Sequence, residues 1–139
     1  MKSINFNQNI KTYAINGDEN NVVKLNTSDY GIFTRAEEMQ TKFVELSKEA
    51  TQAENESNFE KLKKVEKDVR NALDYIFNTD VCTPAFGKTN CLSPCNGSFI
   101  FMNFLEAMLE VLKEDMVQES KKFEANVSKY TKQLPQLAE

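Results

Sequence analysis

In three long stretches of this chain the apolar residues return every three or four positions, a spacing that suits amphipathic helix and little else. The first stretch carries Phe33, Ala36, Met39, Phe43, Leu46 and Ala50; the second carries Phe59, Leu62, Val65, Val69, Leu73 and Ile76. The third carries Phe101, Leu105, Met108, Leu112 and Met116, and Phe104 and Leu109 widen its face. Start signals accompany each one. Asp29 is placed to cap an early turn, Thr34 and Glu37 have capping-box spacing, Ser57 and Glu60 repeat it, and Ser98 precedes the third stripe. The spacing predicts helices over about 34–53 and 58–78 and a third from Ser98. The polar run TQAENESN between the first two holds neither Gly nor Pro, so periodicity leaves open whether they are one continuous helix. In the third stretch the spacing runs on through Phe123, Val127 and Tyr130 among many charges. That predicts a long terminal helix to about 131, ending before Pro135, with a distal part that projects or packs on a partner.

Ahead of the helices the pattern changes to alternation. Ile4 and Phe6 alternate with Asn5 and Asn7, and Val23 and Leu25 fall on one side of NVVKLN. Gly17-Asp18-Glu19-Asn20 reads as a turn longer than the two-residue type, which predicts an antiparallel hairpin over about 12–26. The first residues are a third strand or a tail. A lone hairpin is marginal in water, so this one must pack on the helices or pair with another chain. The expected fold is a single mainly α (α+β) domain over 1–139. An N-terminal β-hairpin region, 1–28, is followed by a helical region, 29–134, in a three-helix antiparallel arrangement with a long C-terminal helix.

Composition narrows the function. The chain has 139 residues, is 40% hydrophobic and 27% charged, and so suits one compact domain with a modest core. Ten Phe and no Trp assign much of the core filling to Phe. A net charge of −4 argues against a nucleic-acid partner, which needs a basic face to displace counterions. No apolar segment approaches the ~20 residues of a membrane span, and the first ten residues lack the apolar run of a signal peptide. The expectation is a cytoplasmic protein with no membrane partner. Histidine is absent. That removes the usual general base, the commonest imidazole ligand, and every Ser/His or Cys/His dyad. No catalytic residue and no cofactor are assigned. Acid pairs such as Glu37-Glu38 and Glu114-Asp115 are neighbours that do not share a helix face, so they read as solvated charge.

The one stretch that invites chemistry is NTDVCTPAFGKTNCLSPCNG, residues 78–97, which holds all three cysteines. Cys82, Cys91 and Cys95 are too few for a structural zinc site, which takes four Cys or His ligands. No C-x-x-C redox pair exists. FGKTN lacks the first glycine of a phosphate loop and follows a helix, not a strand. The bland reading is a connector whose thiols are buried or partly buried small apolar groups, with Phe86 dropping into the core. The Phe/Met stripe of the third helix is likewise core by the ordinary rule. Its competing reading is an adaptable groove for a partner helix, made by Phe101, Leu105, Met108, Leu112 and Met116.

Two stretches carry a resemblance. VKLNTSDYGIFTRAEEM is a strand ending in Asn-Thr-Ser-Asp with a short aromatic turn into a charged helix. LDYIFNTDVCTPAFGKTN, followed by NFLEAMLEVL, is a helix ending in an aromatic, an Asp/Cys/Thr turn, a Phe-Gly, a polar loop and a helix of apolar and acidic residues. Together they resemble the tail assembly chaperone-like proteins of tailed phages and prophages of low-GC Gram-positive bacteria, over about two-thirds of the chain. The resemblance implies a non-catalytic protein of the bacterial host cytoplasm. Its partner would be the tape-measure protein, whose long helices it keeps soluble while the tail is built. The chain departs from the pattern at CLSPCNGS, which adds two Cys and a Pro where such loops are shorter and richer in Gly. The alternatives are a structural virion or prophage protein that forms a homo-oligomer through the hairpin edge and terminal helix, and a small Cys-loop protein that responds to metal or redox state.

Overall fold

The computed structural model describes the backbone of residues 1–137 and the side chains of residues 1–125. Strands β1 (Ile10–Ile15) and β2 (Asp18–Asn26) form the expected hairpin; residues 1–9 belong to no strand. The turn is tighter than predicted. Asn16 and Gly17 alone connect the strands, with φ of 50° and 78°, the double positive-φ geometry that Asn-Gly favours in a type I′ turn. The length expected at the turn appears instead as a bulge. Pairing jumps from Ile15 with Asp18 to Ala14 with Val22, leaving Glu19, Asn20 and Asn21 looped out. Val23 and Leu25 face inward and are buried, as their alternation predicts.

Helix α1 (Gly31–Asn55) begins three residues ahead of its expected start. The Thr34/Glu37 pair does not cap it. Asp29 does, accepting the Gly31 N–H at 2.8 Å through Oδ1 and the Arg35 Nη2 at 2.8 Å through Oδ2. That hydrogen bond with Arg35 holds the Asp29 carboxyl below the usual carboxylate range, with the Gly31 amide helping against the opposing effect of burial. Arg35 Nε also donates to the Ile76 carbonyl at 2.9 Å, so the cap of α1 is tied to the end of α2.

The first two helices are separate. α1 stops at Asn55 without Gly or Pro because Ser57 takes a left-handed conformation, φ 52°. The Asn58 N–H bonds the Ala53 carbonyl at 2.8 Å and the Ser57 N–H bonds Glu54 at 3.1 Å, a Schellman ending. Asn58, not Ser57, then caps α2 (Phe59–Phe77), accepting from the Lys61 N–H at 3.1 Å. The helices run antiparallel. Arg35 and Glu38 reach Ile76 and Tyr75, while Glu45 and Glu49 lie near Lys61 and Lys64. Phe59, assigned to the second stripe, stands exposed at the first turn, above the reach of α1.

The connector after α2 holds more regular structure than its sequence suggested. A single-turn helix, α3 (Cys82–Phe86), precedes a miniature hairpin of β3 (Pro94–Cys95) and β4 (Ser98–Phe99). Asn96 and Gly97, φ 53° and 77°, make a second type I′ turn. The last helix, α4 (Ile100–Leu137), therefore starts two residues later than Ser98, which is spent in β4. It also continues past Pro135, where an ending was expected. Pro135 lies within the last turn, where its cost is confined to one lost hydrogen bond to the carbonyl four residues before it. The stripe positions Val127 and Tyr130 lie outside the residues whose side chains are described. At its start α4 packs against everything else. Phe101 is fully buried with its ring 5.7 Å from Phe43 of α1, and Phe104 meets Phe77 of α2 and Phe86 of α3 edge-on.

Because Ser57 holds a conformation that costs an L-residue about 1 kcal/mol and its side chain makes no hydrogen bond, Ser57→Gly is expected to stabilise the protein. A rise in Tm of roughly 4 °C by differential scanning calorimetry is the check; an unchanged or lowered Tm contradicts the assignment.

The candidate functional site, a groove between the first and last helices

The connector sets where α4 begins, and side chains of α2 hold the connector. Its backbone groups, outside long helix or sheet, must find partners elsewhere. Glu66, Arg70 and Asp74 stand at successive four-residue steps on one face of α2 and supply them. Asp74 Oδ1 accepts from the Val81 and Cys82 amides at 3.0 and 3.2 Å. Arg70 Nη2 donates to the Gly87 and Thr89 carbonyls at 3.0 and 2.8 Å, with its guanidinium over the Phe86 ring. Glu66 Oε2 accepts from the Cys91 amide at 2.7 Å, and its other oxygen lies 3.6 Å from Arg70 Nε. The Cys91 carbonyl in turn receives the Phe101 N–H at 3.0 Å, which fixes the first turn of α4.

Along this face lies a polar cleft of about 570 Å³ where acids and amines come together, including Glu66, Arg70, Asp74, Asp80 and Cys82. Its central groups are engaged with the backbone. Asp80 caps α3 by accepting the Thr83 amide at 3.0 Å, which holds its carboxyl below the usual range. Cys82 and Cys91 are buried. Burial, followed by the Asp74 carboxylate, raises the Cys82 thiol far above its ordinary value; burial, followed by Glu66, pushes Cys91 up to about 12. Both thiols stay protonated and serve as small apolar fillers. Cys95 departs from that reading: it is exposed in β3. Among the described residues no three His, Cys, Asp or Glu side chains are grouped to hold a metal ion.

A larger concavity lies elsewhere, between α1 and the start of α4. It measures about 910 Å³ and is walled on one side by Ala36, Phe43 and Val44, on the other by Met102, Leu105 and Leu109. Glu37, Lys48 and Glu106 stand at its rim with several uncharged polar residues of α1. Val44 is 54% exposed, a large apolar side chain left in solvent at the groove mouth. A second apolar hollow, about 500 Å³, lies against α4 from the hairpin side, lined by Ile15, Phe86, Phe104 and Met108 among others.

The structure separates the five residues assigned to partner contact. Phe101, Leu105, Met108 and Leu112 are core residues, and Met116 is half-buried. The stripe read as a docking face is therefore the face α4 uses to pack on its own chain, and only the edge of Leu105 reaches the groove. The rest of the apolar lining comes from half-buried neighbours of that stripe, Met102 and Leu109, and from exposed Val44 on α1. Val44 breaks the three- and four-residue spacing of its helix as an apolar residue on the polar side, the signal by which sequence reading could have found it. Beyond Leu112 the hairpin gives α4 a last hold. The Tyr13 hydroxyl donates to Asp115, with Lys11 Nζ 3.8 Å from the same carboxylate. Burial, then this bond, raises the Tyr13 phenol well above its ordinary value. Past that point α4 leaves the body: Val117 is 56% and Phe123 70% exposed. Among the described residues no helix is long and apolar enough to cross a membrane.

Comparison with protein-family models, with curated proteins and with solved structures finds no match.

Two outcomes follow from this geometry. Arg70→Ala should cost about 2–3 kcal/mol in urea unfolding, because two carbonyls and a carboxylate lose a charged partner. Arg70→Lys should restore little, since an ammonium lacks the fork that reaches both carbonyls; full rescue by Lys would contradict the clamp. In a thiol titration of native protein, Cys95 should react alone, with Cys82 and Cys91 reacting only in denaturant. The raised thiols also carry a sign. They stabilise the fold fully below the ordinary thiol range and lose that contribution as pH climbs from about 8.5 toward the Cys91 value, so stability should fall on the alkaline side.

Proposed function

We propose that this protein is a non-catalytic helix-binding factor of the tail assembly chaperone type, which accommodates an amphipathic helix of a tape-measure protein between α1 and α4. The observation that carries the reading is the groove itself: about 910 Å³, apolar on both walls and open to solvent. A helix about 10 Å across lays its i, i+3, i+4 and i+7 side chains into such a channel. Met102 adapts to different anchors better than a branched side chain does. The acidic balance of the chain keeps such a complex soluble. The resemblance of the Asn-Thr-Ser-Asp turn and the Phe-Gly connector to that family supplies the identity of the partner, and the bacterial cytoplasm as the place where the two meet.

The test is calorimetric titration with helical fragments of a phage tape-measure protein. Binding is expected, and Val44→Glu, an exposed change outside the core, should weaken it by about tenfold or more. If fragments bind equally well to the Val44→Glu variant, the groove is not their site. If no fragment of that protein binds, the tape-measure assignment falls.

A further inference from the structure

The groove and the distal half of α4 fit one another in chemistry. Beyond Asp115 the helix projects with Val117 and Phe123 exposed, although its backbone continues helical to Leu137. The sequence of α4 is nearly a mirror of itself. Outward from the Glu119–Ser120 junction, apolar residues stand at 116, 112, 109, 105 and 102 on one side, and at 123, 127, 130, 134 and 137, equally spaced, on the other; on the first side Leu105 and Leu112 are buried in the protein's own core, which leaves the half-buried 102, 109 and 116 to meet another chain. On an ideal helix all these positions fall within roughly 100° of the circumference. Charge is divided at the same junction. Glu106, Glu110, Glu114, Asp115 and Glu119 precede it, while Lys121, Lys122, Lys129 and Lys132 follow, with Lys113 and Glu124 the exceptions.

From this we propose that the groove is occupied, in the absence of any other chain, by the distal α4 of a second copy, running antiparallel in a two-fold symmetric pair centred at Glu119–Ser120. Antiparallel pairing about this centre sets position 116 against 123 of the second copy and 102–109 against 130–137, whereas a parallel, in-register pair would set each position against itself. The stretch 102–109 is the α4 wall of the groove, so each copy fills the other's channel. The charge division selects the same direction: antiparallel helices bring the acidic half of one onto the basic half of the other, whereas parallel helices stack like on like. The interface is isologous and closes at two copies. It rests on the pattern of α4 and not on the identity of any outside partner. If a tape-measure helix uses the groove, it must displace the second copy, which makes self-pairing a built-in competitor.

The experiment uses the full chain alone. Sedimentation equilibrium at about 100 µM should find a dimer, and Phe123→Glu, an exposed change that leaves the groove intact, should yield a folded monomer whose unfolding remains cooperative and whose Tm no longer depends on protein concentration. A wild-type monomer, or a Phe123→Glu protein that still dimerises, overturns the proposal. Direction is read by disulfide trapping in a Cys95→Ser background. Mixed Met116→Cys and Phe123→Cys proteins should form the crossed 116–123 disulfide on mild oxidation. Dominant 116–116 and 123–123 products mean parallel pairing and sink it. Tape-measure binding by the Phe123→Glu monomer is measured separately, so failure of one reading leaves the other standing.

Discussion

Glu66, Arg70 and Asp74 on α2 hold the backbone of the segment that leads to α4. Four-residue spacing places them in line, and each reaches a different part of the connector: the start of α3, the turn after it, and the stretch whose Cys91 carbonyl accepts the first-turn Phe101 amide of α4. Without these bonds the connector would carry unpaired amides and carbonyls beside the core, at a cost of about 1–3 kcal/mol for each buried one. The buried thiols follow from the same arrangement. Cys82 and Cys91 sit where the clamped loop turns inward, beside carboxylates that disfavour a thiolate.

That placement divides α4 into two parts. Its first turns are the centre of the core, with Phe101 and Phe104 meeting aromatic rings from α1, α2 and α3. Because the same turns lie beside α1 without filling the space between, Met102 and Leu109 become the wall of a groove. The hairpin then holds the helix through Tyr13, Lys11 and Asp115, after which, among the described residues, Val117 and Phe123 stand exposed.

Much of the architecture was legible in the chain. The period of Phe43, Leu46 and Ala50, and of Val65, Val69 and Leu73, marks faces that are indeed buried, and Val23 and Leu25 mark the inner face of the hairpin. Boundaries were harder, because caps compete locally. Thr34 and Ser57 both had the spacing of a cap, but Asp29 and Asn58 won by reaching free amides first. Two Asn-Gly pairs, 16–17 and 96–97, were turn signals in plain view whose consequence, a tight hairpin each time, went unread in the presence of longer polar runs.

The groove was not legible, and the reason is physical. Periodicity reports which side of a helix is apolar, so the stripe of Phe101, Leu105, Met108 and Leu112 was certain to be covered. Whether its cover would be the same chain or another depends on where the neighbouring helices lie, and that is decided by side-chain bonds between residues far apart in sequence. The amino-acid order by itself determined the helices, the hairpin and the absence of an imidazole. Only the tertiary structure decided that the stripe closes on its own core while Val44 stands exposed and the half-buried Met102 and Leu109 line a groove, because the positions of α1 and α4 depend on contacts between residues far apart in sequence.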